Sequence, residues 1–217
     1  MRLILSSTSP RRREILALLR VPFEVMAPDF TELTADHRAI EEEVMEFAQC
    51  KAESVAKKHP ESIVIGSDTM ISIDSEKIGK PRDRGDARRI LQALAGRVHR
   101  ILTSVVIIDH CGGPGLKTVE EVTVTMRRYS NADIDAYVAY DESLDKAGAY
   151  SIQGKGRMLI ESIQGDYLAA VGLPLKPIAD YLTNRGIAIP VSMEQLYSDP
   201  SFPNWDRFHP ARRDLFK

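Results

Sequence analysis

Two periods of apolar and polar residues run along the chain, and the points where one gives way to the other mark its elements. Arg2 to Ser6 is a short apolar run that predicts a strand, and Ser9-Pro10 opens a helix through about Arg20 with Ile15, Leu16 and Leu19 on one face. An extended stretch, Val21 to Val25, and an acidic loop follow. Ile40, Val44, Phe47 and Val55 then fall at helical spacing and predict a long amphipathic helix from about His37 to Lys58, stopped by Pro60. Ser62 to Asp74 reads as two β-branched apolar runs with Gly66-Ser67-Asp68-Thr69 between them, a buried strand carrying a polar insert. Arg84 to Ala95 is a predicted helix with Ile90, Leu91 and Leu94 inward and Gly96 at its stop, and Arg100 to Ile108 a strand. Gly112 to Gly115 form a turn, and Lys117 to Arg127 alternate Val122, Val124 and Met126 with polar residues, which predicts the second strand of an antiparallel hairpin. Ser130 with Asp133 makes a capping box for a helix to about Tyr140; Met158 to Ile163 is a strand and Leu175 to Arg185 the last helix. The fold class is therefore α/β, α+β in its second half. Residues 190–217 hold prolines, Trp205 and mixed charge without periodicity, which predicts an irregular tail.

Composition narrows the function. At 217 residues, 43% hydrophobic and 28% charged, the chain fits one compact domain or two small lobes sharing a core. Lys plus Arg is 29 against 31 Asp plus Glu, so a net charge of −2 argues against nucleic acid as a partner. Any anion must be met by local basic residues. No apolar run approaches the roughly 20 residues that span a bilayer, and Leu3-Ile4-Leu5 is not a signal peptide, so a soluble cytoplasmic protein without a membrane partner is expected. Cys50 and Cys111 sit in no CxxC or Cys/His cluster and read as reduced thiols.

Five places stand out from the local pattern. Arg11, Arg12 and Arg13 occupy the first turn of a helix, where basic side chains oppose the macrodipole by about 0.3–1 kcal/mol each. With Ser6, Ser7, Thr8 and Ser9 before them, hydroxyls, backbone donors and guanidinium forks converge where a phosphate would sit; the other reading is arginines solvated and merely tolerated. Stepping four then three from Ile40 passes Val44 and Phe47 and reaches Lys51, a lysine on an apolar stripe that either snorkels to solvent or points into a site holding carboxylates or phosphate. Asp68, between Ile63-Val64-Ile65 and Met70-Ile71, must be hydrogen-bonded, paired or metal-bound to stay charged. Lys80, in Gly79-Lys80-Pro81, is set in an extended turn after the strand returns. Asp145 to Gly156 combines small residues with Gln153, whose amide suits the donor and acceptor edge of a flat ligand.

Taken in order, these pieces resemble the Maf-type nucleoside triphosphate pyrophosphatases: Ser-x-Ser-Pro-Arg-Arg at 7–12, Gly-Ser-Asp-Thr at 66–69, Gly-Lys-Pro at 79–81, Gly-Arg-Val-His at 96–99, Asp-Lys-Ala-Gly-Ala-Tyr-Ser-Ile-Gln-Gly at 145–154, and Gly-Asp-Tyr followed by Val-Gly-Leu-Pro-Leu at 165–175. The resemblance spans Leu3 to about Gly186. It implies an elongated fold with a central mixed sheet, one domain over residues 1–189, a nucleotide cleft between two lobes, a homodimer, and Mg²⁺- or Mn²⁺-dependent cleavage of a nucleoside triphosphate to monophosphate and pyrophosphate. It implies further that Asp68 is the proton acceptor, that Arg11, Thr69 and Gln153 set substrate choice, and that Glu32, Lys51 and Lys80 are active-site residues.

Combined with the reading of the loop, Ser7, Ser9, Arg11 and Arg12 hold the triphosphate together with Lys51 and Lys80, while Glu32 and Asp68 coordinate the metal or orient the attacking water. The Ile-Gln-Gly form of the fifth motif resembles the branch acting on dTTP, UTP and modified pyrimidine nucleotides. The competing readings are a 7-methyl-GTP or other non-standard nucleotide pyrophosphatase and a non-catalytic nucleotide-binding regulator of cell division. Two departures stand out: Gly-Ser-Asp-Thr-Met where Gly-Ala-Asp-Thr-Val is usual, and the tail, which has no counterpart in the family.

Overall fold

A computed structural model of the chain describes residues 2–32, 38–109, 115–199 and 202–208. Strand β1 (Arg2–Ser6) leads into α1 (Pro10–Ala17), β2 (Glu24–Met26) and α2 (Ile40–Ala56). Next come β3 (Ser62–Ile73), β4 (Glu76–Ile78), α3 (Arg84–Leu94), β5 (Val98–Asp109) and β6 (Leu116–Met126). Helix α4 (Asn131–Val138), two 3₁₀ turns (Ala147–Ala149 and Lys155–Leu159), β7 (Ile160–Gln164), α5 (Tyr167–Val171), α6 (Leu175–Asn184), α7 (Met193–Ser198) and α8 (Trp205–Phe208) complete the described chain.

The strands form one open seven-stranded sheet in the order β2-β1-β3-β5-β6-β7, with β4 added to β3. It is mixed: β1 runs parallel to β2 and β3, whereas β4 is antiparallel to β3 and β7 to β6. With helices flanking it, the chain has the expected α/β fold.

The chain divides into two compact units. One holds Met1–Thr69, Leu102–Glu120 and Leu168–Leu196. Its core packs Ala48, Ala52, Val55 and Ala56 of α2 on Ile4, Val64 and Val106, one residue each from β1, β3 and β5. The other holds Met70–Ile101, Glu121–Tyr167 and Tyr197–Lys217. There α4 carries the expected capping box, in which the Asp133 amide donates to Ser130 Oγ and the Ser130 amide to Asp133 Oδ2.

Strand β3 runs unbroken through Gly66 to Thr69, the expected buried strand with a polar insert, because hydrogen bonding along the ladder does not require apolar side chains. Three expectations change. Helix α1 ends at Ala17, and Arg20 turns the chain with φ +53. The strand expected from Met158 begins at Ile160, since Lys155–Leu159 form a 3₁₀ turn. Within the tail expected to be irregular, α7 and α8 are helical, and Phe202, Trp205 and Phe208 are buried. Cys50 is a free thiol on α2, whereas Cys111 and the turn at 112–114 lie outside the described residues.

Candidate active site

Gly66 decides how close β3 and α2 come. A Cβ at that position would lie 2.3 Å from the Ala48 carbonyl oxygen and 2.8 Å from the Ala52 amide nitrogen, so only hydrogen fits. The approach sets Lys51, which lies between those two alanines on α2, against Asp68, two residues beyond Gly66 on β3. The Lys51 backbone is pinned as well, its carbonyl accepting from Ser6 Oγ at 2.6 Å and Ser54 Oγ at 2.9 Å.

Lys51 Nζ donates to Asp68 Oδ1 and to Glu32 Oε1, both at 2.5 Å. Lys51 and Asp68 are 6% and 5% exposed, so this is a buried pair, while the Glu32 side chain is half exposed. The lysine on the apolar stripe therefore turns into a carboxylate site and does not snorkel. Glu32 is brought there by the segment before it: the Phe30 ring meets Phe47 edge-on at 5.4 Å, and the Asp29 amide donates to Ser54 Oγ. Burial pushes the Asp68 carboxyl above the ordinary carboxylate range, against the opposing pull of Lys51 and Arg12.

The basic end of α1 sits in the same unit. Ser9 caps the helix, its Oγ accepting from the Arg12 amide, and Ser7 Oγ accepts from the Ser9 amide. Each bond uses an oxygen lone pair and not the hydroxyl proton. Arg12 Nε donates to the Gly172 carbonyl at 2.8 Å and Nη2 to Thr69 Oγ1 at 3.1 Å, which commits two of its five N–H donors. Burial draws this guanidinium below its usual range, while the Asp68 charge raises it. Arg11 is half-buried in the same first turn, which contains no acidic residue.

Two members of this arrangement were missed in the sequence. Thr103 Oγ1 donates to the Ala169 carbonyl at 2.8 Å and lies 3.1 Å from Thr69 Oγ1. Its signal was the one that exposed Asp68, a polar residue inside an apolar strand. The Gly172 carbonyl, which also accepts from Ser67 Oγ at 3.2 Å, acts through its backbone and leaves no such mark.

The family model described as Maf-like protein matches residues 2–185. The chain belongs to the Maf family. Among curated relatives, the dTTP/UTP pyrophosphatase of Bacillus cytotoxicus is 43% identical over 175 residues, 79% of this chain and 89% of its own. That of Dictyoglomus thermophilum is 42% identical over 188 residues, 86% and 97% of the two chains. The protein of the same name from Bacillus velezensis is 43% identical over 174 residues, 80% and 91%.

Of the residues singled out in this Maf sequence, Ser7, Ser9, Arg11, Arg12, Glu32, Lys51, Asp68 and Thr69 belong to the first unit. Lys80 and Gln153 belong to the second. There Lys80 is exposed, and the turn that carries it is tied to the loop of Gln153 by a bond from the Gly148 amide to the Gly79 carbonyl at 3.2 Å. Gly148 holds φ +74, a left-handed backbone that favours glycine, and a Cβ on it would meet Ile71 Cδ1 at 2.9 Å. Among the described residues no group of three or more His, Cys, Asp and Glu side chains gathers as a metal cage. The pair Asp68 and Glu32 suits Mg²⁺ held through one or two carboxylates and substrate phosphates. No described helix is long and apolar enough to cross a membrane.

Proposed function

We propose that this protein is a nucleoside triphosphate pyrophosphatase that hydrolyses dTTP, UTP and modified pyrimidine nucleotides to the monophosphate and pyrophosphate. The observation that carries the reading is the buried ammonium of Lys51 shared by Asp68 and Glu32, beside the Arg12 guanidinium. The names of the relatives support the choice of substrate.

The triphosphate is held by Arg11 and Arg12, by the hydroxyl protons of Ser7 and Ser9, and by Lys51 and Lys80. Thr69 and Gln153 select the base. A water adds to the α-phosphorus as the bond from that phosphorus to the bridging oxygen breaks, and this oxygen leaves with pyrophosphate. The water's proton passes to a carboxylate, Asp68 or Glu32. A carboxyl raised by burial suits proton acceptance nearer neutral pH than an exposed one. Lys51 holds both carboxylates in place and offsets the charge that builds on the phosphoryl oxygens. Mg²⁺ or Mn²⁺, held by Asp68 and Glu32 when bound, would supply charge neutralisation at the phosphates. Residues 1–189 form the catalytic domain of a cytoplasmic homodimer.

The test is pyrophosphate release with Mg²⁺ from dTTP, UTP, CTP, GTP, 5-methyl-UTP, pseudo-UTP and 7-methyl-GTP, run beside Asp68→Asn. Turnover of the uridine and thymidine nucleotides, lost in a folded variant, is the expected result. A variant that keeps the wild-type rate removes Asp68 from the chemistry, and silence of the wild-type protein across the panel refutes the function.

A further inference from the structure

The chain continues past the family match, which ends at residue 185, and its last described stretch belongs to the second unit, the one that holds Gln153. This extension is clamped by aromatic packing. Trp205 stacks on Tyr167 at 5.9 Å with planes 9° apart, Tyr197 meets Trp205 edge-on at 4.9 Å, and Phe208 lies 6.1 Å from Tyr167. Polar bonds fix its register: Tyr167 Oη donates to the Pro203 carbonyl at 2.5 Å and Tyr197 Oη to Asp166 Oδ2 at 2.9 Å. The Gly-Asp-Tyr motif is thus gripped through its acid and its ring.

The clamp presents Asn204 to the main chain of the candidate base-reading loop. Asn204 Nδ2 donates to the Gln153 carbonyl at 2.6 Å and to the Ile152 carbonyl at 3.1 Å. Its backbone is left-handed, φ +62, a conformation asparagine accepts more readily than most residues. We infer that Asn204 is a positioning residue for substrate choice, and that the extension serves to fix the backbone from which Gln153 reads the base. The inference rests on the reading of Gln153 given above. An amide side chain discriminates bases only while its donor and acceptor stay aligned with the ring edge, and the Gln153 backbone has one carbonyl through which an outside group can hold it. The rest of the loop is held locally, by the Gly154 amide on Ser151 Oγ and the Ser151 amide on Tyr137 Oη.

The test uses the full-length protein with Asn204→Gly, which keeps the left-handed backbone free of strain while deleting both donors, and Asn204→Asp, which keeps volume and backbone tolerance but replaces the donor with an acceptor. Steady-state kinetics on UTP, dTTP, CTP and GTP would show the preference for the favoured pyrimidine, expressed as a ratio of kcat/KM to that for GTP, falling about tenfold in both variants. The loss should enter through KM of the favoured nucleotide, with kcat for it held within about twofold. A ratio equal to wild type in a folded variant, or a kcat that falls alike for every nucleotide, overturns the inference, since a purely structural strap would do one or the other. Wild-type protein that hydrolyses the panel without preference refutes the reading of Gln153 and this inference with it. A discriminating wild type beside an equally discriminating Asn204→Gly refutes the inference alone.

Discussion

A single methyl group at Gly66 tests the geometry on which the site depends. Strand β3 is extended there, so alanine is conformationally welcome and would restrict the unfolded chain by about 0.4–1 kcal/mol in favour of folding. Sterics oppose this. The new Cβ would sit 2.3 Å from a main-chain oxygen and 2.8 Å from a main-chain nitrogen of α2, where ordinary contact is 3.4–4 Å, so a helix backbone must retreat by roughly an ångström. Overpacking of this kind costs about 1–3 kcal/mol, and with backbone as the obstacle the upper end applies, leaving a net loss of about 2 kcal/mol. For a chain of this length that corresponds to a fall of roughly 4–8 °C in Tm. The same retreat carries Lys51 away from Asp68, now 2.5 Å from it, and a displacement of that size costs about 100-fold in turnover. Thermal melting followed by circular dichroism gives the first quantity and pyrophosphate release well below the melting point the second. Gly66→Ala protein with wild-type Tm and turnover would refute the close approach of β3 and α2 as the reason for the glycine.

Other expectations concern single groups. His99 is buried with Nε2 2.7 Å from the Tyr150 hydroxyl and, among the described residues, without a hydrogen-bond partner at Nδ1, and burial lowers its pKa from 6.5 to about 4. The unfolded chain therefore binds this proton first as pH falls. Stability from this group is whole above about pH 6.5 and declines by about 1.4 kcal/mol per unit, approaching 3 kcal/mol by pH 4. Urea midpoints at pH 7.5 and 4.5 should differ less for His99→Gln than for wild type, and equal differences would acquit His99. For Ser67→Ala, the Gly172 carbonyl keeps its bond from Arg12, so about 0.5–1 kcal/mol of stability is lost and turnover stays near wild type. A rate loss beyond about tenfold, read in the pyrophosphate assay, would show that Ser67 touches the reaction.

What could be read in advance follows from which forces leave a periodic trace. Lys51 and Asp68 were legible because each interrupts an apolar pattern, and burial of a charge demands a partner. Their pairing with each other was not, since it depends on Gly66 bringing two elements together across the unit. The first-turn arginines of α1 were legible as a breach of the dipole rule, but the partner that Arg12 finds at Gly172 is a carbonyl, and every residue has one. Thr103 left the same mark as Asp68 inside β5 and was passed over. The end of the chain was misread because Tyr197, Phe202, Trp205 and Phe208 follow no helical or strand period. Trp205 and Phe208 are gathered on a ring of α5, Tyr167, and Tyr197 on Trp205, contacts that only the folded chain displays.

Trp205 is the one tryptophan in the sequence, and it stands in the extension, 3% exposed and packed between two tyrosines. The protein thus carries a built-in optical label at the element that separates it from the family match. Indole emission reports whether the extension is docked, while far-ultraviolet ellipticity reports the sheet and helices as a whole. If the strap detaches as a local opening with its own small free energy, the emission change precedes the loss of ellipticity during heating; a single cooperative unit makes the two curves coincide. The colour of one side chain is enough to read how firmly the last described residues are held.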